Sequence, residues 1–356
     1  MIGRARDPAW VARRAPRWLA VAAWLGPAAV LAWWVAVRLG GERWWPTTLV
    51  LYLPHGLLLA PLAALALLVA LRGERWRLLP LAAAAWLLLF PVMGLRLGGP
   101  RAPTPGAPRL RLLTCNVDAG GRSLEATVAE IAAAGPDLVA LQESTPEVAA
   151  ALRQALPGLE QRAVRDLLVA SRFPIVELLA PPPVAAGGQL RSPRFMRVTL
   201  DTPLGPIDLL DVHPISPREV LESARGDGFL VELRGGSLPL VDPALVRRNT
   251  ELRRAQVAAI AAVAGGSTRA VLLAGDTNLP QGSPLLAAGL GRWRDAFDEV
   301  GRGLGYTFPV GPRKLPWMRI DRILAGPGLR FLAVAVGAGR GSDHHCVWAD
   351  LEASPD

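Results

Sequence analysis

The sequence predicts an α/β protein in which a layered domain of strands and helices follows three membrane-spanning helices. Long runs without a charged residue fill much of the first hundred positions, and from Leu110 onward strand-like apolar runs alternate with Ala/Leu-rich helical runs. Several of the strand-like runs end in acidic, amide or histidine side chains. Such alternation indicates layers of α and β structure, and strand ends are where α/β domains usually place their chemistry.

The membrane-spanning prediction depends on three uncharged runs, which cover residues 18–37, 49–71 and 78–95. A helix needs about 20 apolar residues to cross a bilayer, and prolines are tolerated in such helices. The pairs Trp33-Trp34 and Trp44-Trp45 suit membrane interfaces. The alternatives are a buried helical hairpin of a soluble protein and a cleaved signal peptide, which explains only the first run. We predict a membrane anchor over residues 1–97.

Arginine placement predicts the orientation of this anchor. The arginines before the first run are Arg4, Arg6, Arg13, Arg14 and Arg17. The loop between the second and third runs has Arg72, Arg75 and Arg77, whereas the first loop has only Arg38 and Arg43. By the positive-inside rule the N-terminus and the second loop are cytoplasmic, so three crossings leave the C-terminal domain outside. We therefore predict a multi-pass protein of the cell membrane with an extracytoplasmic domain.

The net charge of +9 belongs to the anchor. Residues 1–109 carry 13 Arg and 3 acidic residues, a balance of +10, whereas residues 110–356 carry 26 basic and 27 acidic residues, a balance of −1. Net charge therefore gives no support to a basic face for nucleic acid on the domain.

The domain is predicted over residues 110–352, after a stiff Pro/Gly-rich linker at 98–109. Its most informative stretch is Val271–Asn278, an apolar strand with polar residues at its end. Gly275 permits a sharp turn, so Asp276 and Asn278 leave the sheet edge together. A carboxylate and an amide in one small volume suit a cation and a phosphate-like anion. A plain turn explains the same two residues.

Two earlier strands also end in polar side chains. Asn116 and Asp118 lie at the end of the first strand and share a face by its period of two, and Glu143 ends the next strand. Carboxylates at strand ends are suitable ligands for Mg²⁺, with Mn²⁺ as the alternative ion. Helix caps and turns are alternative roles for these acids.

Three further strands carry basic candidates. His213 ends a strand, where it is placed to donate a hydrogen bond to a phosphate oxygen. Arg172 and Arg197 also lie on strands, and each is either structural or a contact for an anionic substrate.

The last candidates lie near the C-terminus. Asp321 occurs inside an apolar strand, where an unpaired charge would be costly, so it needs a partner. Asp343 and His344 are adjacent before the final strand. A carboxylate that fixes the orientation of a histidine makes a general base able to activate water.

Taken in order, these residues resemble the motifs of the endonuclease/exonuclease/phosphatase superfamily, the DNase I-like proteins. The set is Asn116, Asp118, Glu143, His213, Asp276-Thr277-Asn278, Gly305-Tyr306-Thr307-Phe308, Ile320-Asp321 and Ser342-Asp343-His344. The resemblance implies a four-layer α/β sandwich, with two sheets face to face and helices outside. Two departures are His345, where Arg is more frequent, and the absence of the Tyr that some DNA-repair members place before the strand of Arg172. For Cys115 and Cys346 we prefer buried thiols over an extracytoplasmic disulfide.

The resemblance also implies metal-assisted hydrolysis of a phosphoester or phosphoanhydride. Glu143 would bind Mg²⁺ with Asn116 and Asp118 alongside, and Asp343 would lie in the metal or water shell. His344, held by Asp321, would position water or steady the phosphoryl oxygens. Asp276 would orient the attacking water, whereas Asn278 and His213 would contact the scissile phosphate. Which of Asp276, His213 and His344 acts as the base stays open.

We expect a membrane-anchored, extracytoplasmic phosphohydrolase whose substrate is a lipid-linked phosphate or a phospholipid, because the linker keeps the domain near the bilayer. An extracytoplasmic nuclease is the alternative enzyme, and nucleic acid is a less favoured partner because a nuclease needs a basic groove. A phospholigand-binding module without turnover is the third hypothesis. The sequence indicates no protein partner.

Overall fold

The computed structural model describes residues 16–217, 243–311 and 315–354. Within these ranges the α-helices are α1 Arg17–Gly40, α2 Trp45–Leu51, α3 Leu59–Leu71, α4 Leu78–Leu87, α5 Leu124–Ala133, α6 Pro146–Ala155, α7 Pro243–Gly265, α8 Pro284–Leu290 and α9 Ala296–Val300. The strands in the same ranges are β1 Arg96–Leu97, β2 Arg109–Asn116, β3 Leu138–Gln142, β4 Glu160–Val164, β5 Leu167–Ser171, β6 Ile175–Leu179, β7 Val184–Ala186, β8 Gln189–Arg191, β9 Phe195–Thr202, β10 Gly205–Val212, β11 Ala270–Asp276, β12 Arg294–Asp295, β13 Arg302–Gly303, β14 Asp321–Ala325, β15 Leu329–Val336 and β16 Val347–Ala353.

The described residues form two compact units. One contains residues 16–36 and 54–94, and the other contains residues 37–53 and 95–354. The loop after α1 thus belongs to the same unit as the C-terminal domain, although it lies inside the predicted anchor. The predicted domain boundaries stay a prediction.

The apolar N-terminal region contains two single helices that are long and apolar enough to cross a membrane. They are Arg17–Arg43, with 27 residues, and Arg75–Val92, with 18 residues. The second uncharged run is broken, because Trp45–Leu51 and His55–Leu71 are bent by 87° relative to each other. Pro54 lies in the break, where it lacks an N–H donor and disfavours helical geometry at the residue before it. The expectation of three spanning helices is therefore corrected to two, or three if the bent pair forms one span.

The predicted orientation of the anchor depends mainly on the arginines before α1. Arg4, Arg6, Arg13 and Arg14 lie outside the described residues.

Two six-stranded sheets form the frame of the second unit. Their strand orders are β12-β14-β11-β10-β9-β6 and β15-β16-β2-β3-β5-β4. Strand β2 is parallel to β3 and β10 is parallel to β11, whereas the other neighbouring strands in both sheets are antiparallel.

The sheets pack face to face, and helices cover their outer faces. Successive strand residues point to opposite faces, so Leu112 lies in the core between the sheets and Leu113 lies under α5 and α6. In the other sheet Leu272 faces the inner core, whereas Leu273 packs with residues of α7 and α8. The chain therefore has the predicted α/β sandwich.

The Pro/Gly-rich segment at residues 98–109 is held against the domain. The Arg101 amide donates to the carbonyl oxygen of Leu332 at 2.7 Å, and the Thr104 hydroxyl donates to Glu352 at 2.8 Å. This segment, expected as an extended tether, is thus fixed along the second unit.

The two cysteines of the chain form a disulfide. Cys115 lies on β2 and Cys346 just before β16, and their Cα atoms are 4.4 Å apart. The two strands are neighbours, with Thr114 opposite Val347. The expectation of two buried thiols is therefore wrong. It considered each cysteine alone, whereas the antiparallel pairing of β2 and β16 brings the two sulfur atoms together.

Candidate active site

Polar side chains from the ends of several strands meet between the two sheets. Asn116 is two positions along from Thr114 and four from Leu112, which faces the inner core, so it continues the inward face of β2. Asp276 continues the inward face of β11 in the same way, and it lies directly opposite Asp321 on β14. Both aspartates are 1% exposed. Alternation along the strands thus directs these side chains inward to one place.

Asn116 links two of the acids. Its amide nitrogen donates to Glu143 at 3.0 Å and to Asp276 at 3.3 Å. Its side-chain oxygen accepts from the backbone amide of Asp118 at 3.0 Å. Because that amide is a donor, the orientation of the Asn116 side chain is fixed with its nitrogen toward the carboxylates. Asn116 therefore holds Glu143 and Asp276 through its amide nitrogen, while its side-chain oxygen is bonded to the Asp118 amide.

The turn after β11 fixes the orientation of Asp276. Its Oδ1 accepts from the backbone amide of Asn278 at 2.8 Å, which leaves Oδ2 facing the other site residues. Asn278 has a φ of +51°, a left-handed conformation that asparagine tolerates better than most residues. Its side-chain amide donates to the carbonyl oxygen of Pro214 at 3.0 Å. A Cβ at Gly275 would lie 2.0 Å from the backbone oxygen of Val212, so only glycine fits before Asp276.

His344 bonds to Asp321. Its Nδ1 lies 2.8 Å from the nearer carboxylate oxygen, and its Nε2 lies 3.8 Å from Asp276 and 3.9 Å from Asp343. The ring also packs against Phe308, with centroids 4.7 Å apart. Burial alone would lower the pKa of His344, but the negative charges of Asp321 and Asp276 outweigh burial and raise it to about 10. The ring therefore carries a proton on Nε2, directed toward Asp276.

His213 receives its orientation from Arg194. A guanidinium nitrogen of Arg194 lies 2.6 Å from His213 Nδ1, and its Nε donates to the His213 carbonyl at 2.8 Å. A guanidinium can only donate, so Nδ1 accepts and the ring proton lies on Nε2. That atom is 3.6 Å from both Glu143 and Asp276. Asp166 completes the group, 3.4 Å from Arg194.

These side chains lie at one end of a cavity of about 1060 Å³. Its wall includes Glu143, His213, Asp276, Asn278, Asp343 and His344. Carboxylates, two oriented imidazoles and an arginine in one cavity are the groups that metal-assisted attack of water on a phosphate requires.

The sequence profile of the Endonuclease/Exonuclease/phosphatase family matches residues 113–344. This chain belongs to that family. Members of the endonuclease/exonuclease/phosphatase family are in general phosphoester hydrolases that depend on a divalent metal ion. No curated protein is similar enough to this chain to count as a match.

Solved structures of the family are similar to this chain in fold. An endonuclease/exonuclease/phosphatase from Bacteroides vulgatus is 16% identical, with a TM-score of 0.52, and the match covers 69% of this chain and 100% of that one. A conserved protein of unknown function from Enterococcus faecalis V583 is 15% identical, with a TM-score of 0.50 and coverage of 69% and 100%. A family member from Beutenbergia cavernae DSM 12333 is 20% identical, with a TM-score of 0.46 and coverage of 69% and 72%. At these identities the similarity concerns the fold alone.

The donor atoms of the site fit the divalent ion on which the endonuclease/exonuclease/phosphatase family depends. Among the described residues, Asp276, Asp321 and His344 place ligand atoms within 4.8 Å of one another. Asp321 already accepts a hydrogen bond from His344, so Glu143, Asp276 and Asp343 are the carboxylates that face the cavity. The Glu143 side chain is 37% exposed, which leaves room for an ion and its waters.

The charges of the site also favour a cation. In the described part of the chain this cluster has five carboxylates, from Glu143, Asp166, Asp276, Asp321 and Asp343, against the guanidinium of Arg194 and the imidazolium of His344. Buried negative charge in excess is unfavourable unless a cation compensates it. A divalent ion beside Glu143 would offset most of this excess charge.

Three predicted site residues lie elsewhere. Asp118 is in a short turn beside Asn116, and it is not among the described residues that line the cavity. Arg172 forms an ion pair with Asp137 at 2.9 Å, and Arg197 forms one with Glu177 at 2.6 Å. Neither arginine lines the cavity, so we do not include them in the site.

Four residues near the site were missed by sequence reasoning. Arg194 and Asp166 support His213, and Tyr52 and Arg253 contact the carbonyl of Asn278. Arg194 has a φ of +56°, which is rare for arginine, but nothing in the sequence signals this. Tyr52 lies in the predicted anchor, 226 residues from Asn278 along the chain. No local pattern indicates such a contact.

Proposed function

We propose that this chain is a divalent-metal-dependent phosphohydrolase that cleaves a phosphoester or phosphoanhydride. The observation that supports it most directly is the meeting of Glu143, Asp276 and the hydrogen-bonded pair of Asp321 and His344 at one end of the cavity. Hydrolysis of a phosphoester needs an oriented water and fixed positive groups around the phosphoryl oxygens. The residues of this cluster supply both.

Glu143 and Asp343 are the residues that would hold the ion, with Asp276 beside them. Mg²⁺ prefers one or two carboxylates and keeps several waters, and Mn²⁺ accepts the same oxygen ligands. When bound, the ion neutralises developing charge on the phosphoryl group. Asn116 fixes Glu143 and Asp276 relative to each other, because its amide donates to both.

Asp276 is the residue that orients the attacking water. Its Oδ1 is engaged by the Asn278 amide, so the water binds Oδ2 and gives its proton to that oxygen as its own oxygen attacks phosphorus. The bond from phosphorus to the leaving oxygen breaks, and the leaving oxygen takes a proton from solvent. His344 does not act as the base here, because the raised pKa keeps its ring protonated. Its Nε2–H instead donates to a phosphoryl oxygen.

His213 supplies a second donor to the phosphate. Arg194 holds the ring with its proton on Nε2, and that proton faces the space between Glu143 and Asp276. The side chain of Asn278 lines the same cavity. An imidazole N–H fixed in this way stabilises negative charge on the phosphoryl group without needing to reorganise during the reaction.

The location that we propose is the cell membrane, with the hydrolytic domain outside the cytoplasm. The supporting observations are the two helices long and apolar enough to cross a bilayer, and the arginine excess before α1 and in the loop before α4. An odd number of crossings is needed to place the domain outside, so this proposal takes the bent pair Trp45–Leu51 and His55–Leu71 as the third span. The disulfide between Cys115 and Cys346 supports an oxidising compartment, because disulfides are rare in cytosolic proteins.

The substrate class that we propose is a lipid-linked phosphate or a phospholipid headgroup. The cavity wall combines the guanidinium groups of Arg191 and Arg248 with the apolar side chains of Leu245, Leu252 and Trp317. A wall of this mixed character suits a molecule with both an anionic and an apolar part. The balance of −1 over residues 110–356 favours a small anionic headgroup over a nucleic-acid strand.

The test uses the full-length protein in detergent with Mg²⁺ or Mn²⁺. Release of phosphate or headgroup is measured for a polyprenyl pyrophosphate, a phospholipid, a soluble phosphodiester and plasmid DNA, each with and without EDTA. The proposal predicts metal-dependent turnover of a lipid substrate that is lost in His344→Ala. Ser267→Ala, which removes a hydroxyl bonded to Asp208 on the N-terminal half of β10, is the matched control and should keep the activity.

The other outcomes separate the alternatives. DNA nicking as the main activity would replace the lipid phosphohydrolase with a nuclease. Saturable binding of a phosphorylated lipid without turnover of any of the four substrates would replace it with a binding module.

A further inference from the structure

The segment between α1 and α3 packs within the second unit. We call residues 41–53 the loop segment, which contains a short helical turn at Gly41–Arg43 and helix α2. Residues 37–53 are compact with the domain, whereas the chain before and after them belongs to the first unit. The loop segment is therefore an insertion of anchor sequence into the hydrolytic unit.

The start of the loop segment is fixed by Glu42, which is 1% exposed. Its carbonyl accepts from the Thr250 hydroxyl of α7 at 2.6 Å, and its carboxylate accepts from the Ser283 hydroxyl before α8. Trp45 and Leu49 of α2 pack against Val246 of α7. The loop segment is thus held at α7 and at the start of α8, the two helices that pack on the outer face of the sheet containing β11.

The end of the loop segment reaches the site through Tyr52, which is 5% exposed and lines the cavity. Its hydroxyl donates to the carbonyl oxygen of Asn278 at 2.9 Å. Arg253, which is fully buried, donates to the same carbonyl at 2.8 Å and to the Tyr52 hydroxyl. Trp317 donates its indole N–H to the Tyr52 backbone oxygen at 3.1 Å.

The two hydrogen bonds to the Asn278 carbonyl are important because the Asn278 amide binds a catalytic carboxylate. The backbone of Asn278 is in the left-handed region, and its amide donates to Asp276 Oδ1 at 2.8 Å. A left-handed conformation at a residue other than glycine persists only when its surroundings hold it. Tyr52 and Arg253 hold the peptide group that follows Asn278, and the Asp276 carboxylate accepts from the peptide group that precedes it, so the two are joined through the backbone of Asn278.

We propose that Tyr52 is a positioning residue for Asp276, acting through the left-handed backbone of Asn278 together with Arg253. The anchor sequence then supplies part of the active site, and the hydrolytic unit is complete only with the loop segment. The expected effect of Tyr52 on kcat rests on the proposed function. Its expected effect on the backbone of Asn278 does not require turnover.

The test is Tyr52→Phe in the full-length protein in detergent. The ring and its packing stay, so folding should be retained, and only the hydroxyl bonded to Asn278 is lost. We expect kcat to fall about tenfold with KM changed less than about twofold, because a small misplacement of a catalytic group lowers the rate of the chemical step. In an Asp276→Asn background the same change should cost less than about twofold, because Tyr52 acts through that carboxylate.

A second readout does not require activity. Amide hydrogen exchange of a peptide covering residues 274–282 should become at least about threefold faster in Tyr52→Phe, because the turn that holds the Asn278 amide loosens. Ser267→Ala should leave both readouts unchanged. If wild-type protein shows no turnover, the proposed function fails and the exchange result alone decides the positioning role. Unchanged exchange, or a loss confined to KM, would overturn the inference.

Discussion

The pair of Asp321 and His344 allows a quantitative prediction for Asp321→Asn. Asp321 is almost fully buried, and its carboxylate lies 2.8 Å from His344 Nδ1. Asparagine has nearly the same shape, so the variant keeps the packing and one hydrogen bond but loses the negative charge. The imidazolium of His344 is then stabilised only by Asp276 at 3.8 Å and by Asp343 at 3.9 Å.

The expected loss follows from the charge pair. Two unit charges about 4 Å apart attract each other by about 4 kcal/mol at the effective dielectric of a protein site. A neutral hydrogen bond to the new amide recovers about 1 kcal/mol. The remaining loss of about 3 kcal/mol weakens proton binding by His344, whose pKa is about 10, by a factor of about 100. A rate that needs the protonated ring should therefore fall by about tenfold at pH 9 and change little at pH 7.

A double-mutant cycle tests this interpretation. The initial rate of metal-dependent hydrolysis is measured for wild type, Asp321→Asn, His344→Ala and the double variant. Because Asp321 acts only through His344, its replacement should cost about tenfold at pH 9 in the wild type and less than about threefold once His344 is absent. An equal cost in both backgrounds would refute the reasoning, since Asp321 would then act independently of the histidine.

Three further predictions concern the metal ligand, the turn and a buried acid. Glu143→Ala should abolish metal-dependent hydrolysis while the midpoint of thermal unfolding stays within a few degrees, because the side chain is partly exposed at a strand end; a large loss of stability would contradict the ligand role. In chemical denaturation, Gly275→Ala should lower the free energy of unfolding by about 2 kcal/mol or more beyond the effect of Gly205→Ala. Both glycines have positive φ, but only at Gly275 would a Cβ lie 2.0 Å from a backbone atom. Equal losses for the two variants would contradict the predicted clash. Burial raises the pKa of Asp211 well above its usual range, so the wild type should lose stability relative to Asp211→Asn as pH rises above about 4, toward the folded-state pKa. A stability difference that does not change between pH 4 and 7 would contradict this.

Positions at the ends of strands indicated which residues would meet. The sequence placed Asn116, Glu143, His213 and Asp276 at strand ends, and the structure brings them to one cavity. The cost of an unpaired charge in an apolar strand also predicted that Asp321 needs a partner, which is His344. These successes depend on residues close to the ends of strands, where a side chain direction follows from the local backbone.

Contacts between distant segments were not predictable in this way. Arg172 and Arg197 have the residue type for binding phosphate, but acids on nearby segments neutralise them. Asp118 lies away from the cavity wall for a local reason, because its own backbone has a positive φ just after β2. The disulfide and the contact of Tyr52 with Asn278 each join segments more than 200 residues apart, so no single-sequence pattern shows them.

The proposed hydrolysis requires that the carboxylates lining the cavity bind a divalent ion. Isothermal titration calorimetry of Mn²⁺ and Mg²⁺ into the full-length protein in detergent tests it without a substrate. We predict saturable binding that Glu143→Gln weakens by about tenfold or more and that Ser267→Ala leaves unchanged. Wild-type affinity in Glu143→Gln, or no binding of either ion to the wild type, would contradict the account.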